Sequence, residues 1–372
     1  MDGPRVVHVV PAPFGPDGVV GGAERYALGL ARAMAERVPT TLVTFGPRPR
    51  EERLGRLAVR VLGPARHVRG QATNPFALSL LGALRGADVV HCHQQHVVAS
   101  SAAALFGRLT GRPVFVTELG GGGWDVSAYV STDRWFAGHL HVSAYARTQA
   151  GHDGKPWARV ILGGVDTRRF SPDPATPRAG TILFVGRLLP HKGVDVLLRA
   201  VPPGSPVELV GPAPDARCLA DLHRLAEGKC VRFRHDCDDD ALIEAYRRAT
   251  CVVLPSVYRT MYGTETRVPE LLGQALLEGM ACATPAVATT VGGLPEVVEE
   301  GVTGFLVPPN DAAALGERLE RLVARPSEAA AMGERARGRV LNRFTWDAVV
   351  TRCLEAYQEA LVRKPHPRPV AP

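Results

Sequence analysis

The chain has no uninterrupted apolar run near the ~18 residues that a membrane-spanning helix needs. Its start, Met1-Asp2-Gly3-Pro4-Arg5 before the short run Val6 to Val10, is too brief for a secretory leader, so neither targeting nor insertion is expected. Cysteines are few: Cys92, Cys218, Cys230, Cys237, Cys251, Cys282 and Cys353. Their number is odd, their spacing is scattered, and no pair has the two-residue gap of a zinc ribbon or redox motif. Reduced thiols in a cytoplasmic setting follow as the expectation. Lysine is nearly missing, with only Lys155, Lys192, Lys229 and Lys364 among 44 Lys and Arg residues. Aromatic residues make up 6% of the chain, and none stands between the arginines from Arg48 to Arg69. That stretch therefore lacks the stacking rings of a single-stranded nucleic-acid surface, and no nucleic-acid partner is expected.

What is present points to a globular protein of two domains, since 372 residues exceed one ordinary domain. Hydrophobic residues form 45% and charged residues 22%. The net charge of +7 lies wholly in residues 1–165, and residues 166–372 balance. A basic first half suits an anionic substrate or a peripheral membrane contact, and it equally suits a solvated face.

The pattern along the chain is that of parallel α/β sheets. Val6 to Val10 reads as a buried strand, Gly15 to Gly22 as a glycine-rich loop, and Ala23 to Arg37 as a helix with Tyr26, Leu30, Ala33 and Met34 on one face. Strands follow at Thr40 to Phe45, Ala87 to His91 and Pro113 to Thr117. The proline-rich segment Phe170 to Pro177 reads as a linker. A second series opens at Thr181 to Gly186 and continues at Val207 to Val210, Val231 to Arg234, Cys251 to Leu254 and Ala286 to Thr289. Alternating strands and helices predict two Rossmann-like domains facing across a cleft, with ligands outside the carboxyl ends of the strands. Residues 345–361 carry Trp346, Val349, Val350, Cys353, Leu354, Tyr357 and Leu361 at helical spacing. The tail 362–372 is rich in proline and is expected to be flexible.

The densest chemistry is Pro269-Glu270-Leu271-Leu272-Gly273-Gln274-Ala275-Leu276-Leu277-Glu278. Two glutamates flank seven residues that open a helix, and eight helical residues rise about 12 Å. That span suits the two ends of a nucleotide sugar, because carboxylates accept hydrogen bonds from vicinal hydroxyls. The helix-start amides between them suit phosphate. The pair alone is a weak pattern, and solvated helix residues give the same one. Gly186-Arg187-Leu188-Leu189-Pro190-His191-Lys192-Gly193 adds two cations at a strand-to-helix turn, placed to hold a diphosphate leaving group. Gly292-Gly293-Leu294-Pro295-Glu296 and Gly301-Val302-Thr303-Gly304-Phe305-Leu306-Val307 follow.

Together these runs resemble the C-terminal half of glycosyltransferase family 4, a retaining, metal-independent group with the GT-B fold. Gly21-Gly22-Ala23-Glu24-Arg25, Asp88 to His93 and Val160 to Asp166 are similar to its other landmarks, so the resemblance spans nearly the whole chain. It implies a donor that is a nucleoside-diphosphate sugar, a hydroxyl acceptor, and no metal or other cofactor. It implies that Arg187 and Lys192 neutralise the diphosphate, that Glu270 holds the transferred sugar and that Glu278 holds the ribose. Leu272, Gly273 and Gln274 would offer backbone amides, Gly21 and Gly22 would face the diphosphate, and Gly211 would lie near the base. The domains expected are 1–168 for the acceptor, with helix 345–361 packed back on it, and 169–344 for the donor.

The chain departs from that pattern in two places. Glu118, in Thr117-Glu118-Leu119-Gly120, stands where the family has a histidine near the donor sugar, so that histidine's role does not transfer, and Glu118 is itself a candidate catalytic residue. Val257 to Pro269 is long, and Tyr258, Arg259, Tyr262, Thr264, Glu265 and Arg267 form a loop beside donor or acceptor, or a plain surface insertion. His91, Cys92, His93 and His96 invite a metal reading, but His91 and His93 share a strand face while Cys92 points away. A core His91 and a cleft-facing His93 that touches acceptor or sugar are preferred. Trp124, Tyr129, Trp135 and Phe136 line an acceptor pocket or belong to the core. The competing readings are a nucleotide-sugar epimerase, a phosphorylase, a binding protein on the same fold, and a dinucleotide-dependent oxidoreductase. Gly15 to Gly22 lacks the Gly-x-Gly-x-x-Gly spacing of the last. The acceptor class stays open among small natural-product or cyclitol aglycones, lipid carriers and polysaccharides.

Overall fold

The computed structural model describes residues 3–13, 22–71, 73–120 and 123–362. These divide into two compact units. One runs to Val142 and adds Ala150–Gly164 and the stretch from Trp346 onward; the other holds Ser143–Gln149 and Val165–Thr345.

The first unit has strands β1 (Val6–Pro13), β2 (Thr40–Phe45), β3 (Arg50–Leu54), β4 (Leu57–Leu62), β5 (Arg66–His67), β6 (Pro75–Phe76), β7 (Val89–His93), β8 (Val114–Thr117), β9 (Gly138–His141) and β10 (Ala158–Val160). Eight of them form one sheet in the order β10-β9-β8-β7-β1-β2-β4-β3, and β5 pairs with β6 separately. Every neighbour in the large sheet is parallel except β3 with β4. Central strands such as Val89–His93 are buried at every position, as a parallel strand covered on both faces must be. Strand β3 has no apolar alternation that marks it in the sequence, because Arg50-Glu51-Glu52-Arg53 is charged throughout and exposed, whereas β4 buries Leu57, Val59, Val61 and Leu62. The hairpin's charges pair along the edge, Arg60 with Glu51 at 2.8 Å and Arg50 with Glu52 at 3.8 Å. Charge on an edge strand discourages pairing with another chain.

The last helix, Trp346–Val362, belongs to this first unit. It buries Val349, Val350, Cys353, Ala356 and Tyr357. The Trp346 ring lies over Gly29 and Gly164, where an added Cβ would come within 2.5 and 2.7 Å of it. Tyr357 stacks 4.9 Å from Phe115, and its hydroxyl meets His91 Nδ1 at 2.7 Å.

The second unit has β11 (Thr181–Val185), β12 (Val207–Val210), β13 (Val231–Arg234), β14 (Ala249–Leu254), β15 (Ala286–Thr289) and β16 (Gly304–Val307). Its sheet runs β13-β12-β11-β14-β15-β16, all parallel. The chain steps outward one way from β11 and then the other way from β14, so the strand order reverses between them. Open parallel sheets bind ligands at such a reversal. The segment read as a linker is part of this unit: Phe170 is buried, with its ring 6.0 Å from that of Tyr246.

Candidate functional site

The reversal between β11 and β14 gathers the charged residues of the second unit. β11 ends at Val185, and the chain then passes Arg187, a single 3-10 turn Pro190–Lys192 and Gly193 before the helix Val194–Ala200. Gly193 has φ 65°, and a Cβ there would fall 1.9 Å from the Pro255 carbonyl oxygen at the end of β14. Only glycine lets the start of this helix approach the end of β14 so closely. Gly193→Ala should therefore destabilise the chain by about 2–4 kcal/mol from backbone strain and overpacking. A urea midpoint within error of the parent would show that the contact relaxes freely.

Lys192 Nζ pairs with Glu270 Oε1, and the two side chains are only 15% and 10% exposed. Ser256 Oγ donates to the same carboxylate oxygen at 2.9 Å. The Ser256 carbonyl accepts from Thr289 Oγ1 at 2.6 Å, which ties the end of β15 to the same cluster. His191 sits beside Lys192, and burial, then the charge of Lys192, pushes it down to about 4. It is therefore neutral near pH 7. Arg187 is exposed, with no ion pair or side-chain hydrogen bond among the described residues.

The two glutamates do not lie on one helix as the sequence suggested. The helix is Gln274–Ala281, and Gly273 before it has φ 96°, outside the helical region. Glu270 thus stands in an extended turn four residues earlier, where it reaches Lys192 and Ser256. The reason is local: Gly273 permits a left-handed bend that stops the helix from extending backward. Leu272 is buried, and Gly273 and Gln274 form the helix start, where main-chain amides have no intrahelical acceptor. Glu278 lies one turn along, 6% exposed, and accepts from the Tyr246 hydroxyl at 2.9 Å. Gly211 ends β12 so close to β11 that a Cβ would fall 2.2 Å from the Gly186 carbonyl oxygen.

The long segment after β14 is a small hairpin. Thr260 N–H donates to the Thr264 carbonyl at 2.9 Å and Thr266 N–H to that of Tyr258 at 2.8 Å. The Tyr258 hydroxyl accepts from the Gly292 amide at 3.0 Å, and Tyr262 donates to Asp221 Oδ2 at 2.6 Å under Arg217. The hairpin therefore runs from the Glu270 turn to the helix Ala216–Ala226. Glu296, at the end of the Gly292-Gly293-Leu294-Pro295-Glu296 run, caps the helix Ala144–Gln149 by accepting from the Ala144 and Tyr145 amides at 2.8 Å. Ser256 and Tyr246 were missed by sequence reasoning, whereas Tyr258 lies in the loop expected beside donor or acceptor. Ser256 was visible as the polar residue closing a strand beside Pro255, whereas Tyr246 comes from a remote element with no spacing signal.

In the first unit, Gly21 lies outside the described residues, and Gly22 is the exposed first residue of the helix Gly22–Ala35. Glu118 accepts from the Gln95 amide at 2.7 Å and the Gly120 amide at 2.9 Å, so both oxygens hold the loops that follow β7 and β8. His93 is not open to a ligand cleft: it is 3% exposed, and its Nε2 lies 2.8 Å from His8 Nδ1. His91 is a core residue, with Nε2 on Thr117 Oγ1 at 2.8 Å. Burial pushes His8 down to about 3 and, helped by their mutual repulsion, His91 and His93 well below the ordinary imidazole value. The four aromatics divide. Trp135 and Phe136 pack into the core, whereas Trp124 and Tyr129 stand 6.1 Å apart with Arg69 3.8 Å over Trp124.

Two families match in tandem: glycosyl transferase 4-like domain over residues 21–152, and glycosyl transferases group 1 over residues 168–339. D-inositol 3-phosphate glycosyltransferase of Frankia alni is 34% identical over 234 residues, covering 54% of this chain and 53% of that protein. Alpha-maltose-1-phosphate synthase of Mycolicibacterium smegmatis is 30% identical over 328 residues, covering 76% of this chain and 81% of that protein. The chain spans about half the length of the first curated relatives it matches. Among solved structures, sucrose-phosphate synthase from Thermosynechococcus elongatus superposes with a TM-score of 0.72 at 22% identity, over 96% of this chain and 99% of that one. Anabaena HepE in complex with UDP and glucose gives 0.71 at 19% identity, over 96% and 100%. No helix among the described residues is long and apolar enough to cross a membrane. With the GT-B fold and both halves matched, the chain belongs to glycosyltransferase family 4.

Proposed function

We propose that the protein transfers a sugar from a nucleoside-diphosphate sugar to a hydroxyl acceptor with retention of configuration, and that the donor binds the second unit. The observation that carries this is the cluster at the reversal of the second sheet. Lys192, Glu270 and Ser256 meet there, next to a helix start and with Glu278 one turn further on. A cation and helix amides suit the departing diphosphate, because they act on charge that grows as the sugar bond breaks. Arg187, exposed and without an ion-pair partner among the described residues, supplies a second cation. Glu270 meets the transferred sugar, Glu278 the ribose, and Gly211 the base. The departing phosphate takes the acceptor proton on the same face, so the reaction needs no separate base. Epimerase, phosphorylase and oxidoreductase readings gain no support from the relatives' names.

Incubation with labelled sugar nucleotides and candidate hydroxyl acceptors tests the reading. Transfer or slow hydrolysis is expected, and epimer formation alone would overturn it. Cyclitols head the acceptor panel because a relative is named for D-inositol 3-phosphate. Trp124 and Tyr129 are the aromatic surface offered to the acceptor, and the exposed arginines from Arg48 to Arg69 suit contact with an anionic membrane face. All seven cysteines are free, in keeping with a cytoplasmic enzyme.

The two carboxylates should separate in calorimetry. Glu278→Gln removes a charged acceptor from ribose and should weaken nucleoside diphosphate about ten- to a hundredfold. Glu270→Gln should leave that affinity nearly intact and lower turnover of the full donor. Equal loss of diphosphate affinity in both variants would refute the division. Added magnesium or manganese should leave turnover unchanged, since Lys192 and Arg187 already carry the neutralising charge. An absolute requirement for either ion would sink that part of the scheme.

A further inference from the structure

We propose that His139, His141 and His152 form a binding site for a divalent transition metal of the zinc class, within the first unit. Each of the three places one ring nitrogen within 4.8 Å of the other two. His139 and His141 are alternate residues of β9 and so share one face of the strand. His152 comes from the loop before β10, and its Nδ1 lies 3.1 Å from His141 Nε2. Two imidazoles bound tetrahedrally at zinc distances stand about 3.3 Å apart, so this pair is already near coordination spacing.

The surroundings resemble what metal-bound imidazoles need. A ligating histidine commonly directs its other nitrogen to a carboxylate or a backbone carbonyl, which fixes ring and tautomer. Here Asp133 supplies both kinds of oxygen: its carbonyl meets His139 Nε2 at 3.0 Å, and its Oδ2 stands 3.5 Å from His152 Nε2. The Asp133 carboxylate is itself held by Gln95 Nε2 at 2.7 Å and Ser131 Oγ at 3.2 Å. All three histidines are 3% exposed or less, and Trp157 closes the site with its ring 4.8 Å from His139 and 4.6 Å from His152. Three imidazole ligands select zinc, cobalt or nickel over magnesium or calcium, which prefer oxygen. The fourth position falls to water.

The other three-histidine cluster, His8, His91 and His93, is the natural competitor, but there His91 spends one nitrogen on Thr117 and the other on Tyr357. The histidine site shares no residue with the proposed donor cluster, so its failure would leave the transferase reading intact.

The test is titration of the chelator-stripped full chain with Co²⁺ alone, in a Cys230→Ser, Cys237→Ser background that removes the two thiols that are not buried. One equivalent should bind with visible absorption bands, and Zn²⁺ should displace it. His141→Gln and His152→Asn should each weaken Co²⁺ by at least about a hundredfold, and Asp133→Asn by about ten- to a hundredfold. His93→Gln should bind as the parent does. Absence of stoichiometric binding by the parent overturns the proposal, whatever the variants do. So does binding that survives His152→Asn or disappears in His93→Gln. Melting of each variant in chelator separates lost ligation from lost fold: a ligand variant that melts like the stripped parent and no longer gains stability from Co²⁺ supports the site.

Discussion

Lys192→Met should lower kcat/KM for the full donor by a factor on the order of 10²–10³, the range seen when a charge-stabilising donor is removed from a transition state. The loss has two sources that can be separated. In the proposed reaction the ammonium no longer meets the leaving diphosphate, and Glu270 is left nearly buried with Ser256 as its remaining side-chain hydrogen-bond donor among the described residues. Breaking a buried ion pair by removing one partner costs about 3–5 kcal/mol of stability, because the other charge stays desolvated. The double variant Lys192→Met, Glu270→Gln removes both charges and should regain most of that stability while staying slow. Urea unfolding and steady-state kinetics on the parent, both single variants and the double variant complete the cycle. A rate loss under tenfold in Lys192→Met would remove the lysine from the chemistry, and an unchanged urea midpoint would remove the ion pair from the fold.

The second large effect is sensitivity to mild acid. His8, His91 and His93 are held neutral in the folded chain, His8 at about 3 and the other two well below the ordinary value. In the unfolded chain each titrates near 6.5. Above that pH both states are neutral and the histidines contribute no pH dependence. As pH falls below about 6.5 the unfolded state takes up protons that the folded state refuses, so stability falls with pH. Over the first unit below 6.5, each such group contributes about 1 kcal/mol, and three together about 3 kcal/mol. That is a large share of the roughly 5–15 kcal/mol that holds an ordinary domain. Urea midpoints measured at pH 7.5, 6.5 and 5.5 check it: little change across the first interval and a steep fall across the second are expected. A flat profile to pH 5.5 would mean that the imidazoles reach solvent.

Most of the second unit was legible because its strands are continuous apolar runs between glycines and polar turns. Val207–Val210 and Ala286–Thr289 were read with their observed bounds. Lys192 and Glu270 were legible as chemistry but not as partners, because 78 residues separate them and only the sheet reversal brings them together. The helix was placed four residues early because Leu271, Leu272 and Gln274 favour helix, and the bend at Gly273 is a conformation rather than a composition. Strand β3 was hidden by its charge, since an exposed edge has no apolar alternation to display, whereas β4, Leu57–Leu62, had an apolar pattern that the reading passed over. The partners of His93 were equally hidden. His8 lies on β1, and its register against β7, His8 opposite His91, is a property of the assembled sheet.

The last helix has a consequence for the order in which the molecule can be made. Its Trp346 and Tyr357 complete a core whose other walls are Gly29, His91, Phe115 and Gly164. A ribosome delivers those walls first, then the whole of Val165–Thr345, and only then the piece that closes them. The earliest part of the chain is thus the last to be finished, and it waits with an apolar seam open while the later part, nearly contiguous in sequence, has what it needs to fold. The seam is sealed by a helix that follows the second unit in the same chain, so completion of the first unit reports that the second has already emerged.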